Sequence, residues 1–82
     1  MTLAEALGRE VRAEAAAQRV TIAQLATRAG VNRSSLYTWL DGQVAFPLQG
    51  LEALSSVLGV APHQMVRRAE ARARGSVATE PA

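Results

Sequence analysis

The sequence predicts an all-α fold, a compact bundle of five helices, on three observations. Thr2 is followed three residues on by Glu5, and Thr21 by Gln24. Both pairs have capping-box spacing, in which two side chains and two backbone N–H groups of a first helical turn satisfy one another. Behind these signals apolar residues recur at helical spacing, and Gly30, Gly42 and Gly59 stand just past such stretches, where positive φ ends a helix at little cost. The apolar content is 49% and much of it is Ala, the strongest helix former. Residues 1–75 are predicted to form one domain. Gly75 and the polar stretch from Ser76 to Ala82, which contains Pro81, read as a disordered tail of residues 76–82.

The first helix is predicted to begin near Leu3, with Leu7, Val11 and Ala15 continuing its apolar stripe and Ala4 and Gly8 beside it. Gly inside a helix costs up to ~1 kcal/mol relative to Ala, so Gly8 signals close packing. Gln18 and Arg19 close this helix without a Gly, which gives Arg19 a strained or a looser turn. The second helix begins at Ile22, and Leu25, Ala26 and Ala29 share its apolar face. Gly30 ends it, and Val31 plugs the angle to a third helix. Asn32 is the N-cap of that third helix, which runs to about Asp41, with Gly42 as its stop. Leu36, Trp39 and Leu40 share one face, which makes Trp39 a core residue. Ser34, Tyr37, Thr38 and Asp41 share the opposite face, and Arg33 stands at the exposed start.

Gln43 to Phe46 form a loop, and Pro47 fits the first turn of a fourth helix carrying Leu48, Leu51, Leu54, Val57 and Leu58. After Gly59 and Val60, a fifth helix starts with Pro62 at its first position. Met65, Val66, Ala69 and Ala73 lie on one of its sides, with Arg67, Arg68, Arg72 and Arg74 mostly elsewhere. It is predicted to end near Arg74.

A chain of 82 residues accommodates one domain and no second sensor or catalytic domain. Its core is of marginal size, which dimerisation would supplement. The net charge of +2 describes a mildly basic chain, thin support by itself for nucleic acid. All nine basic side chains are Arg. Either the planar fork is wanted for phosphate and guanine, or the genome is GC-rich. The absence of Cys excludes disulfides, thiol catalysis and cysteine metal sites. Glu5, Arg9 and Glu10 interrupt the N-terminus, so no signal peptide is read there, and no stretch is long enough to span a membrane. A soluble, cytoplasmic protein is expected. His63 has no partner for metal or catalytic work and reads as solvent-exposed. Glu5, Glu10, Glu14, Glu52 and Glu70 have Arg nearby in sequence and read as solvated faces and i,i+4 pairs. Ser55 and Ser56 have no base beside them. No enzyme, metal or cofactor is predicted.

Ala26, Gly30, Val31, Leu36, Trp39 and Gly42 stand in the register of the helix-turn-helix of the Cro and lambda-repressor-like family, which this chain resembles. The fourth helix, ending in Leu58, Gly59 and Val60, continues the resemblance, which covers roughly residues 3 to 70. The resemblance implies a DNA-binding domain whose third helix enters the major groove and meets base edges near its N-terminus. Carried over position by position, the base-contacting candidates are Asn32, Arg33, Ser34, Tyr37 and Thr38. Arg33 can reach O6 and N7 of a guanine together, or else touches phosphate or water. Tyr37 can meet a thymine methyl or a phosphate, or pack on its own domain. Ser34 and Thr38 reach bases or phosphates or are solvated, and capping occupies Asn32.

Phosphate candidates are Thr21, Gln24, Arg28, Gln43 and Arg12, with a structural ion pair as the alternative for Arg12. Three positions depart from the family. Ile22 stands where many members hold phosphate with Gln. Glu14 replaces an apolar residue and sits at the core rim or pairs with an Arg. No Gly follows the first helix. Met65, Val66 and Ala69 either close the bundle or form an isologous dimer interface, as the family commonly dimerises in this region. A dimer spaces two reading helices about 34–36 Å apart on a near-palindromic site.

The expected function is therefore a small, dimeric transcriptional repressor that binds double-stranded DNA at the nucleoid of a bacterial or phage-infected cell. A phage-type switch protein and an antitoxin repressing its own operon both fit. The rival is a protein–protein interaction module that keeps the scaffold and binds a protein partner through the Ile22 face, Tyr37 and the Arg-rich fifth helix.

Overall fold

Five helices form where the capping and stop signals place them: α1 (Leu3–Ala17), α2 (Ile22–Ala29), α3 (Arg33–Leu40), α4 (Leu48–Leu58) and α5 (Pro62–Val77). The structure, a computed structural model, describes residues 1–77, and among these there is no strand. At the start of α1 the Thr2 N–H donates to Glu5 Oε1 at 2.8 Å and the Glu5 N–H to Thr2 Oγ1 at 3.1 Å. The Thr2 N–H, and then the Thr2 hydroxyl, hold the Glu5 carboxyl below the usual carboxylate range.

Three helix ends share one geometry, a 6→1 and a 5→2 hydrogen bond around a left-handed residue. At α2 the Val31 N–H reaches the Ala26 carbonyl at 3.0 Å around Gly30, φ 72°. At α3 the Gln43 N–H reaches that of Thr38 at 3.2 Å around Gly42, φ 76°. At α1 the Val20 N–H reaches the Ala15 carbonyl at 2.8 Å, but the left-handed residue is Arg19, φ 58°. Of its two expected turns Arg19 takes the strained one.

Two boundaries differ from expectation. Pro47 is not in the helix: it has extended dihedrals at the N-cap, and α4 starts at Leu48. α5 continues through Gly75 and Ser76 to Val77: among the described residues none after Arg74 has positive φ, and the Ala and Arg before it favour helix. Ser76 and Val77, assigned above to the tail, are thus helical. The rest of that assignment, 78–82, lies outside the described residues.

The core gathers Leu7, Val11 and Ala15 of α1, Leu25 and Ala26 of α2, Leu36 and Leu40 of α3, Leu51, Leu54 and Leu58 of α4, and Met65 and Ala69 of α5. Leu3 is not part of it: the helix has just begun there and the side chain is 45% exposed. α3 lies so close to α1 at Gly8 that a Cβ would collide with the Leu40 carbonyl oxygen. The close approach expected at Gly8 is therefore with the last turn of α3. Trp39 is half-buried, its ring centroid 5.8 Å from that of Phe46. Its ring atoms lie 2.8 Å from where a Cβ on Gly50 would stand. It packs, as its helical register implies.

α5 lies along α1, and two ion pairs join them. Arg68 Nη1 donates to Glu14 Oε1 at 2.8 Å and Arg72 Nη2 to Glu10 Oε2 at 3.1 Å. Gln18 Nε2 donates both to Glu14 Oε2 at 2.8 Å and to the Leu58 carbonyl at 2.7 Å. The second bond satisfies one of the acceptors that the end of α4 leaves open. Glu14 is thus both at the rim and paired. The Gln18 amide first, then Arg68, hold its carboxyl below the usual range.

Candidate nucleic-acid interface

The turn between α2 and α3 sets the direction in which α3 presents its outer side. Gly30 reverses the chain, half-buried Val31 packs against the core, and Asn32 Oδ1 accepts the Ser35 N–H at 3.2 Å to start α3. Leu36 and Leu40 then bury one side of the helix. Arg33, Ser34 and Tyr37 are exposed on the outer side, with Thr38 half-exposed beside them. Tyr37 is 42% exposed, and it carries both an apolar ring and a phenol donor.

The caps have a chemical consequence for this surface. Asn32 uses its carbonyl oxygen to cap α3 and is exposed, which leaves its NH2 available as a donor. Thr21 Oγ1 accepts the Gln24 N–H at 3.1 Å and Gln24 Oε1 accepts the Thr21 N–H at 3.0 Å. Each oxygen has one lone pair engaged in the cap, while the Thr21 hydroxyl proton and the Gln24 NH2 remain available. Each cap therefore engages an oxygen and leaves a hydrogen to offer, the polarity an anion requires. Thr38 is the opposite case: its hydroxyl donates to the Ser34 carbonyl at 2.9 Å and presents only acceptor capacity.

Ile22, at the position where the family resemblance leads one to expect Gln, is half-buried against the core. Arg28 lies exposed in the last turn of α2, and Gln43 is exposed just past Gly42. Among the described residues, Arg28 and Arg33 make no ion pair.

Arg12 is placed differently. Its Nη2 donates to Asp41 Oδ1 at 3.0 Å, and its guanidinium carbon lies 6.0 Å from the centroid of the Tyr37 ring. Asp41 on the outer side of α3 is legible from helical spacing. Its partner, 29 residues earlier, is not. Glu5, Arg9, Arg12, Leu40 and Asp41 line one cleft of about 350 Å3 beside α3.

On α5, Met65 and Ala69 have no exposed surface. Of the two roles expected for them, these two residues have the burial that closing the bundle requires. Val66 is half-exposed and borders an apolar cleft with Leu3, Phe46 and Leu48, the last 70% exposed. Arg68 and Arg72 are engaged with α1, whereas Arg67 and Arg74 are exposed. His63 is exposed near the start of α5.

No curated protein matches this chain. Among solved structures, it is similar to the clp gene regulator ClgR from Corynebacterium glutamicum, with a TM-score of 0.89 at 24% identity. The likeness covers 96% of this chain and 84% of that one, and shows a shared fold. A family described as the helix-turn-helix domain matches residues 6–74, a span that runs from α1 into the last turns of α5. The chain belongs to the helix-turn-helix domain family.

Proposed function

We propose that this protein binds double-stranded DNA with sequence preference and acts as a small transcriptional regulator. The observation that carries this reading is the division of α3, with Leu36 and Leu40 buried and Arg33, Ser34 and Tyr37 turned outward. By that side α3 enters the major groove. Arg33 takes O6 and N7 of a guanine, a bidentate contact worth about 1–3 kcal/mol of discrimination. Tyr37 meets a thymine methyl or a phosphate, and Ser34, Thr38 and the Asn32 amide complete the base-side contacts. Thr21, Gln24, Arg28 and Gln43 hold phosphates. That a fold neighbour is named a gene regulator agrees with this.

In this reading the regulator is a homodimer that represses by occupying a near-palindromic operator at the nucleoid, controlled by its own concentration or by a protein partner. The second copy meets Val66, beside Leu3, Phe46 and Leu48, rather than Met65 or Ala69. No described helix is long and apolar enough to cross a membrane.

The test is selection from a randomised duplex pool by the wild type and by Arg33→Ala. A near-palindromic motif that loses a guanine preference in the variant supports the reading. No enrichment, with no binding at low salt, refutes it. The exposure of Leu48 favours one rival, an interaction module that binds a protein through this apolar cleft. Specific DNA binding weakens steeply with salt, and an apolar protein interface does not.

A further inference from the structure

Three ion pairs join the described helices, and one of them differs from the others. The carboxylate side chains of Glu14 and Glu10, paired across α1 and α5, are 20% and 13% exposed. The Asp41 side chain is 50% exposed, whereas the three arginines are alike at 42%, 47% and 39%, so the difference lies in the carboxylate. An open pair of this kind contributes little to stability. A carboxylate at the end of α3 also opposes the helix dipole, whose C-terminal end is already negative. Helix stability therefore gives no reason for Asp41, and its location suggests another. It stands one turn beyond Tyr37 on the outer side of α3, and Arg12 bridges the two.

We propose that Asp41 restrains Arg12, so that a cation placed beside the reading helix adds little sequence-independent attraction to DNA. This inference rests on the DNA-binding reading above. A lone Arg on a phosphate displaces a condensed counterion, and that release drives nonspecific binding. The Arg12–Asp41 pair is neutral as a unit. It presents donors to a phosphate without net charge, so it releases no counterion, and the carboxylate competes for the guanidinium. Held in this way, Arg12 keeps its place against the Tyr37 ring, and the base contacts of α3 carry a larger share of the binding. Asp41 is in these terms a specificity-setting residue that acts through Arg12.

The test uses the full chain and its variants Asp41→Asn, Arg12→Gln and the double variant. Binding is measured by fluorescence anisotropy over a salt series, with a labelled mixed-sequence duplex and with the duplex that the wild type selects from a random pool. Asp41→Asn should bind the mixed-sequence duplex about two- to fivefold more tightly. The slope of log K against log salt should steepen by about 0.9, one phosphate's worth. The affinity ratio of selected to mixed duplex should fall. In the Arg12→Gln background, Asp41→Asn should change the slope far less.

An unchanged slope in Asp41→Asn overturns the proposal. So does a change of equal size with and without Arg12, which would mean plain charge repulsion by Asp41. Both leave the DNA-binding reading standing, because the wild type still selects a sequence. If folded wild type and Asp41→Asn bind no duplex at low salt, the reading itself falls and the proposal with it. The exposure of the pair lets these variants fold, and circular dichroism verifies it.

Discussion

Replacing Gly8 by Ala sets helix propensity against packing. In the interior of a helix Ala is favoured over Gly by about 0.8–1 kcal/mol. The packing works the other way. A Cβ on Gly8 would stand 2.8 Å from the Leu40 carbonyl carbon and 3.0 Å from its Cα, and would collide with the carbonyl oxygen. Comfortable carbon contacts need about 3.5–4.0 Å, so relieving the closer of the two would part α1 and α3 by roughly 0.7–1.2 Å. The obstacle is backbone in the last turn of α3, which no rotamer change can move. Overpacking costs about 1–3 kcal/mol, and a clash with backbone belongs near the top of that range. After the propensity gain, the expected net loss is about 2 kcal/mol. In a domain of this size each kcal/mol shifts Tm by roughly 4–8 °C, which gives a fall of roughly 8–16 °C. Urea and thermal melts followed by Trp39 fluorescence measure it, with Gly75→Ala as the control. Among the described residues nothing lies within 4 Å of a Cβ at Gly75, so propensity acts alone there and that variant should gain a few tenths of a kcal/mol. A Gly8→Ala protein at least as stable as the wild type would refute the described contact between α1 and α3.

Arg19→Gly should stabilise the fold by about 0.5–1 kcal/mol in urea melts. Relief of a left-handed non-glycine residue, of order 1–3 kcal/mol, exceeds the added freedom of the unfolded chain. Glu14 gives a pH signature. Its folded pKa lies below the ordinary 4.5 through Gln18 and then Arg68, so its stabilisation is present above that value and is lost as pH falls through the folded one. Glu14→Gln should flatten the loss of stability on the acid side of about pH 4.5, measured by urea midpoints at successive pH values. Glu5 acts in the same direction through Thr2 and remains in the variant. Leu48→Glu should leave the monomer fold intact, as the side chain is 70% exposed. It should shift sedimentation toward monomer if the second copy meets the Val66 cleft.

The parts of this fold legible in the sequence are those set by neighbours within one turn. Thr2 with Glu5, and Thr21 with Gln24, exchange hydrogen bonds as their spacing implies, because a cap involves only residues three apart. Gly30, Gly42 and Gly59 take positive φ for the same local reason. Choices between partners distant in the chain are less legible. Spacing put Met65, Val66 and Ala69 on one side of α5. Which of them α1 would cover depends on how two helices roll against each other. Glu14 reads as a rim residue or as the partner of an Arg, yet α5 offers four Arg residues and only packing selects Arg68. For Arg12 the sequence admits phosphate and ion pair alike, since nothing near it in sequence names Asp41. The ring of Pro47 fixes φ, here −67°, at a value that suits a cap as well as a first helical turn, and composition cannot tell which ψ follows.

The two sides of α3 also bear on how such a protein diversifies. The side chains that hold the helix in place, Leu36 and Leu40, are distinct from Arg33 and Ser34, which are exposed and make no side-chain hydrogen bond among the described residues. Exposed positions of that kind tolerate exchange within about 0.5 kcal/mol of stability. Their identity can drift or be chosen by an engineer while the scaffold stays folded, one address at a time. Tyr37 is less free, since its ring is tied through Arg12 to Asp41, and a new residue there would be inherited together with the state of that pair.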